Sequence, residues 1–301
     1  MRVLVVVNRS AGTAGDGALA TVLDVLRDGA DVEVAATAGI AELERAVAGR
    51  GDRRPVVVGG DGSVHAAVAA LDRAGGLDPD QPIGLVPLGT GNDLARALGL
   101  PLEPVAAARA VLSGVPRALD LLRDDAGGVV VNAVHAGVGA QAGLQAERLK
   151  DRLGVAAYPV GAAVAGMTTA GWRLRVTVDG TAVSSPTGWT ADGDTGVLMA
   201  GVCNGPTIGG GTALAPGARP DDGLADVVVC TATGPAARAA FAAALVAGRH
   251  TERDDVAVVR GREVSVSGDP VEFDADGELQ SAVAARTWRV EPGAWSVLVP
   301  G

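Results

Sequence analysis

One pattern recurs three times in the first half of this chain, and few folds can use it: a short Val/Leu run, a glycine-rich turn, then a helix-like stretch. Val3–Val7 leads into Asn8-Arg9-Ser10-Ala11-Gly12 and then a helix over about Gly17–Leu26, whose Leu19, Val22, Leu23 and Leu26 recur at helical spacing. Pro55–Val58 leads into Gly59-Gly60-Asp61-Gly62 and a helix from Ser63 to about Arg73. Ile83–Val86 leads into Pro87-Leu88-Gly89-Thr90-Gly91-Asn92 and a helix through Leu98, stopped by Gly99 and Pro101. A further strand over Asp31–Ala36 precedes a helix over Ile40–Ala48. Strands alternating with helices predict a parallel sheet with helices on both faces.

After about Leu121 the pattern changes. Val129–Val134, Arg173–Val178, Gly196–Cys203, Ala225–Cys230, Val256–Val259, Glu263–Val266, Val271–Asp274, Thr287–Val290 and Trp295–Val299 read as short strands between turn residues. Helices are predicted only over about Ala142–Ala165 and Ala236–Ala247. The fold class is therefore α/β plus β: a parallel-sheet α/β domain at 1–122, then an antiparallel β-sandwich domain at 123–301, with the last strand free to return to the first domain. The boundary falls within Ala118–Gly128.

Hydrophobic residues are 48% of the 301 and aromatic residues 2%, so any core is built from Val, Ala and Leu. That suits buried parallel strands under Ala-rich helices. The formal charge of −10 leaves no electrostatic footprint for nucleic acid and would repel an anionic membrane, so membrane-surface contact is expected to be transient. No apolar run approaches the ~20 residues of a membrane span, and the run after Met1 is too short for a secretory signal, which predicts a cytoplasmic protein. Cys203 and Cys230 lack CxxC spacing and read as buried thiols, while His65, His135 and His250 are too scattered to suggest zinc.

The chemistry lies in the turns. Gly59-Gly60-Asp61-Gly62-Ser63 follows a strand and opens a helix, placing backbone N–H groups and the positive end of a helix dipole together. Glycines admit close approach of phosphate oxygens, and an aspartate in the same turn would repel phosphate unless a cation lay between, which suggests a nucleotide with Mg²⁺. A plain tight turn is the alternative. The turn from Pro87 to Asp93 repeats the geometry, with Thr90 and Asn92 as donors; Asp93 also fits an ordinary acid in a first helical turn. Ligands of open α/β sheets sit at this strand edge. An ordinary P-loop is excluded because the one lysine, Lys150, lies outside any such turn. Gly137-Val138-Gly139-Ala140-Gln141-Ala142 formally matches a dinucleotide fingerprint, but it arises in the β-rich half without a second βα unit or ribose-binding acid.

Together these segments resemble the diacylglycerol kinase catalytic-domain family, which includes soluble bacterial lipid kinases and sphingosine kinases and shares a fold group with NAD kinases. Asn8 to Gly12 is similar to the family's Asn-Pro-x-Ser-Gly, Gly59 to Ser63 to its Gly-Gly-Asp-Gly-Thr, and Pro87 to Ala95 to its Pro-x-Gly-Thr-x-Asn-Asp-Phe-Ala. Asn132-x4-Gly137-x-Gly139, Pro220 to Asp226, and Asp276-Gly277-Glu278 follow in the family's order. The resemblance implies an ATP- and Mg²⁺-dependent kinase acting on the hydroxyl of a lipid or lipid-like alcohol such as diacylglycerol. It implies that Asn8, Thr37, Gly59, Gly60, Asp61, Gly62, Ser63, Gly89, Thr90 and Asn92 contact ATP. Asp61, Asp93 and Asp120 would join a water network around the catalytic Mg²⁺, with Asp61 and Glu278 as catalytic residues and Glu278 as proton acceptor. Arg219, Asp222 and Leu224 would hold a structural Mg²⁺, largely through main-chain oxygens; as an isolated segment they read as an Asp-Gly turn.

Four departures from the family pattern stand out: Arg9 for Pro, Ala11 for Ser, Ser63 for Thr, and the pair His65-Ala66 for Asn-Glu. The carboxylate missing at Ala66 keeps a second reading open, a nucleotide- or lipid-binding protein without catalysis. NAD kinase is the enzyme alternative. The identity of the lipid and the oligomeric state, a homodimer included, are not legible from one sequence.

Overall fold

A computed structural model of the chain describes residues 1–9, 16–137 and 171–301. The helix expected over Ala142–Ala165, residues 10–12 of the first turn and residues 138–142 of the fingerprint-like segment lie outside the described residues. By its contacts the chain divides into two compact units, Met1–Leu121 with Pro292–Gly301, and Leu122–Glu291.

In the first unit, β1 (Arg2–Asn8), β2 (Asp31–Thr37), β3 (Arg54–Gly59) and β4 (Gly84–Pro87) form a parallel sheet in the order β2-β1-β3-β4. The Val-rich runs suit it because β-branched side chains are stiff and pack well on a pleated surface. Alternation along each strand divides the burial between two faces. Val3, Val5, Val56, Val58 and Val86 share a core with Val22 and Leu26 of helix α1 (Asp16–Gly29) and with residues of a later helix. Leu4, Val6, Val57 and Leu85 fall on the opposite pleat and are also buried. There α2 (Ile40–Ala48) packs against α3 (Asp61–Arg73). A short α4 (Asp93–Ala97) follows β4.

One helix went unread in the sequence: α5 (Pro104–Ser113), which packs against α1. Its start signal is present. Pro104 stands at the first helical position, and Glu103 accepts hydrogen bonds from the N–H groups of Val105 and Ala106 at 3.0 and 2.7 Å. At the sheet edge beyond β4, Ile83 bridges in parallel to Val297, with Ile83 N–H donating to Ser296 O at 2.8 Å and Leu298 N–H to Ile83 O at 3.0 Å. The chain's final segment thereby belongs to the first unit.

The second unit is antiparallel. Its strands are the latter part of β5 (Val115–Asp124), β6 (Val129–Val130), β7 (Ala133–Gly137), β8 (Trp172–Val178), β9 (Thr181–Ala182), β10 (Asp192–Val197), β11 (Met199–Cys203), β12 (Thr207–Ile208), β13 (Thr212–Ala213), β14 (Ala225–Cys230), β15 (Val256–Gly261), β16 (Glu263–Ala275) and most of β17 (Glu278–Val299). The main path runs β15-β14-β11-β7-β16-β17-β5-β6, with β8 joining β16 and carrying β9 and β10; β12 and β13 pair separately. Helix α6 (Pro235–Val246) lies between β14 and β15. Phe273 and Trp288 meet edge-on in the core, 5.1 Å between ring centres, among Val and Ala.

Several strand boundaries differ from the sequence reading, each for a local reason. Glu263–Val266 and Val271–Asp274 are one strand: Gly268, at φ 136°, carries a bulge between Ser267 and Val271 while pairing with β17 resumes beyond it. Thr287–Val290 and Trp295–Val299 likewise merge into β17. Val129–Val134 instead divides into β6 and β7, because the N–H groups between them turn to a carboxylate described below. Gly196–Cys203 divides at Leu198, whose N–H donates to Cys230 O at 2.7 Å.

Candidate active site

Parallel register brings the carboxyl ends of four strands side by side. Asn8 pairs with Thr37, Val7 with Val58, and Gly59 with Pro87, so three of the sequence motifs share one sheet edge. Thr37 is buried, and Arg9 N–H donates to its carbonyl at 2.9 Å; Asn8 is exposed.

The glycine turn and its helix are arranged differently from the sequence reading. Helix α3 begins at Asp61, two residues before Ser63, with extended Gly60 as its N-cap. Asp61, Gly62 and Ser63 therefore form the first helical turn, whose leading N–H groups have no acceptor within the helix. Gly60 O accepts from the N–H groups of Ser63 and Val64 at 3.0 and 3.1 Å. A Cβ on Gly59 would lie 2.5 Å from Ser63 Oγ, whereas one on Gly62 would meet nothing within 4 Å. The turn is tight on its inner side and open at Gly62.

The second turn is built onto the first. Leu88 N–H donates to Gly59 O at 3.0 Å, and a Cβ on Gly89 would lie 2.4 Å from the Gly60 Cα, so both glycines are needed for backbone to pass backbone. Asn92, buried and left-handed at φ 54°, holds its loop shut: its Oδ1 accepts from Gly89 N–H at 3.0 Å and its Nδ2 donates to Gly89 O at 2.8 Å. Asp61 reaches across to α4, accepting Asp93 N–H at 3.0 Å and Leu94 N–H at 3.1 Å. The amides opening α4 are thus already used by Asp61, and the second turn does not repeat the helix-end geometry of the first. Thr90 stands exposed at its tip, while Asp93 is buried.

Asp120 lies on β5. It is 2% exposed, its Oδ1 accepts Gly293 N–H at 2.9 Å, and its carbonyl accepts Trp295 Nε1–H at 3.2 Å, tying β5 to the final strand. Among the described residues no three His, Cys, Asp or Glu side chains gather at metal-binding geometry.

In the second unit, Glu278 opens β17 directly after the two-residue turn Asp276-Gly277, at φ 52° and 89°, as an Asp-Gly hairpin requires. Glu278 is exposed and pairs with Ala275. Asp276 is the residue whose importance the sequence concealed. Its carboxylate accepts three N–H groups, from Val131 at 2.6 Å and from Asn132 and Ala133 at 2.9 Å, and its own N–H donates to Ala133 O at 2.9 Å. Those bonds end β6 and start β7. Asp274 Oδ1 accepts Gly277 N–H at 2.8 Å. Burial pushes the His135 imidazole pKa down, opposed by the nearby Asp274 and Asp276.

Arg219, Asp222 and Leu224 fall in the turn before β14. Asp222 accepts Leu224 N–H at 3.2 Å and pairs with Arg260, whose Nε also reaches buried Asp226 at 3.1 Å. Burial pushes the Asp226 carboxyl up, while Arg260 opposes this. Arg219 pairs with Asp221 at 3.6 Å.

Residues 2–123 match the family described as the diacylglycerol kinase catalytic domain, and residues 132–299 match that described as the YegS C-terminal NAD kinase beta sandwich-like domain. The chain belongs to the diacylglycerol kinase catalytic-domain family. As a member it is a kinase. A protein of Xanthomonas euvesicatoria pv. vesicatoria named "Probable lipid kinase YegS-like" is 34% identical over 82% of this chain and 78% of its own length. One of the same name from Stenotrophomonas maltophilia is 32% identical over 90% and 88%. A crystal structure of a diacylglycerol kinase from Bacillus anthracis str. Sterne has the same fold, with a TM-score of 0.76, 22% identity and coverage of 99% of this chain and 96% of that one. The family's α/β and β-rich regions thus account for the two patterns in the sequence.

Proposed function

We propose that this kinase transfers the γ-phosphoryl group of ATP, with Mg²⁺, to the hydroxyl of a lipid alcohol such as diacylglycerol, working in the cytoplasm with transient contact to a membrane surface. The observation that carries the nucleotide half is the open face of the α3 turn, where Gly62 leaves space beside N–H groups at a helix N-terminus. Such a site favours phosphate oxygens through both hydrogen bonds and the helix dipole. Support for the lipid half is the shared name of the curated relatives.

The residues present suit Mg²⁺ carried on the nucleotide. That ion retains waters and takes only one or two carboxylates alongside substrate phosphates, so a dedicated cage is not required. Asp61 joins the two turns by accepting one amide on each carboxylate oxygen, and Asp93 adds a second carboxylate in the same pair of turns. Bound there, Mg²⁺ would offset charge on the β- and γ-phosphates. Asn8, Thr37 and Thr90 are assigned to the nucleotide and Asp120 to the outer water network. Arg219, Asp222 and Leu224 are assigned to the structural ion, through carbonyl oxygens, since the Asp222 carboxylate is already paired.

Glu278 accepts the proton of the acceptor hydroxyl as its oxygen attacks the γ-phosphorus. The new O–P bond forms as the bond to the β–γ bridging oxygen breaks, and ADP departs. An exposed carboxylate on a rigid hairpin suits that role, since it can meet a substrate without first moving.

ADP release is to be measured with Mg²⁺ over a panel of lipid alcohols, with NAD as a control acceptor and Glu278→Gln alongside. Lipid-dependent turnover that collapses in the variant is expected. Phosphorylation of NAD instead, or ATP binding without turnover on any acceptor, overturns the proposal.

A further inference from the structure

Arg9 follows directly on β1 and stands where the family pattern has proline. Its backbone is held in place. Arg9 N–H donates to Thr37 O at 2.9 Å, which carries the β1–β2 ladder one bond past its last pair, Asn8 and Thr37. A proline has no N–H to give there. On the other side of β1, Val7 pairs in parallel with Val58, so Arg9 lies two residues past that pair as Gly60 does on the adjacent strand. Neighbouring strands run ~4.8 Å apart, which brings the Arg9 backbone to the flank of the glycine turn that opens α3. The Arg9 side chain is exposed. Charge points the same way. The chain holds 35 acids at a formal charge of −10, yet residues 1–15 contain Arg2 and Arg9 and no acid. The turn itself brings carboxylates rather than cations, in Asp61 and Asp93, and the chain has no P-loop lysine. Arg96, on α4, spends its Nε on Gly91 O at 3.0 Å.

We propose that Arg9 binds the phosphate chain of the nucleotide, contacting it from the β1 side while the amides of the α3 turn hold it from the β3 side. This rests on the α3 turn as the phosphate site, and it adds a side-chain contact that a proline could not make. The planar guanidinium offers phosphate oxygens two parallel N–H bonds, which an amide cradle alone does not. Its charge also offsets the repulsion that Asp61 and Asp93 exert on the same phosphates. The departure from the family's proline thus exchanges a rigid residue for a second ladder bond and a cation at the nucleotide edge.

The test is titration calorimetry without lipid, using ATP and adenosine with wild type, Arg9→Gln and Arg9→Lys. Both variants keep the backbone N–H that bonds Thr37 O, so Tm should stay within about 2 °C of wild type. Arg9→Gln is expected to weaken ATP binding about 10-fold and to leave adenosine unchanged. Arg9→Lys should recover ATP affinity to within about threefold of wild type, since it restores the charge without the fork. The gap between wild type and Arg9→Gln should narrow as salt rises from about 0.05 to 0.5 M. Undiminished ATP affinity in Arg9→Gln overturns the proposal. An equal loss for adenosine overturns it too, because residue 9 then shapes the cleft instead of binding phosphate. If Arg9→Gln keeps its ATP affinity but sediments less than wild type with phosphatidylglycerol vesicles, the guanidinium serves a lipid headgroup and the nucleotide role is refuted. Failure of the phosphate site itself looks different: wild type would then bind ATP no more tightly than adenosine, and this proposal would fall with it.

Discussion

Adding one methyl group at Gly62 and one at Gly89 gives opposite expectations that follow from distances alone. A Cβ on Gly62 meets nothing within 4 Å, and the residue sits in the first turn of α3. Gly→Ala at a compatible helical site stabilises by about 0.4–1 kcal/mol, because the unfolded chain loses freedom. At ~2–4 °C per kcal/mol for units of this size, Tm should rise by roughly 1–4 °C. That open space is also where the phosphate is proposed to lie. A methyl there holds the oxygens off the backbone, and losing one or two phosphate hydrogen bonds, about 1–2 kcal/mol, weakens ATP binding about 5- to 30-fold. At Gly89 the added Cβ would stand 2.4 Å from the Gly60 Cα, 2.9 Å from Asn92 Oδ1 and 3.1 Å from Gly60 N. Carbon atoms rest at ~3.5–4.0 Å, so the two turns must part by about 1 Å, at ~1–3 kcal/mol, and Tm should fall by several degrees. Thermal unfolding without ligand and titration calorimetry with ATP and Mg²⁺ measure both quantities. A stabilised Gly62→Ala variant with undiminished ATP affinity would refute the phosphate assignment, and a destabilised one would refute the geometry.

Other expectations follow from buried groups. Asp276→Ala removes the acceptor for the amides of Val131, Asn132 and Ala133 and should destabilise the protein by roughly 2–4 kcal/mol in urea unfolding, with Asp276→Asn intermediate; a change below about 0.5 kcal/mol would mean water replaces the carboxylate. Burial holds the His135 and His250 pKa values below their unfolded value of about 6.5, so the unfolded chain binds more protons beneath that pH. Stability contributed by neutral burial is then complete above about pH 6.5 and falls with pH down to the folded values, by at most about 1.4 kcal/mol per pH unit for each histidine; urea titrations at several pH values check this, and His250→Gln should flatten the slope. Burial raises the Cys203 thiol and pushes Cys230 to about 12, so neither should react with iodoacetamide at pH 8 until the protein unfolds, as mass spectrometry can follow.

Much of the parallel half was legible because period and punctuation are local. Ile40–Ala48 shows apolar residues at helical spacing and is helix over those residues. The strand at Ala225–Cys230 is likewise bounded as its apolar run suggests. Helix α5 was missed although its Glu-Pro start was present, since the preceding Gly-Leu-Pro segment reads as a stop signal. In the second half, the breaks expected after Val266 and after Val290 fall instead at Gly268 and Pro292 within continuous strands. A bulge or a left-handed glycine accommodates each while neighbouring strands continue to supply partners.

For the candidate site, sequence order alone determined which residue types cluster at turns: the glycines that permit close backbone approach, the acids beside them, and an Asp-Gly pair suited to a tight hairpin. These are matters of dihedral preference and nearest neighbours. Only tertiary structure decided what each acid does there. Asp61 lies 32 residues from the Asp93 amide it accepts, and Asp276 lies 145 residues from that of Val131. A carboxylate bonds whichever amides the fold leaves unpaired within reach, and across such separations that choice belongs to strand register rather than to any local pattern.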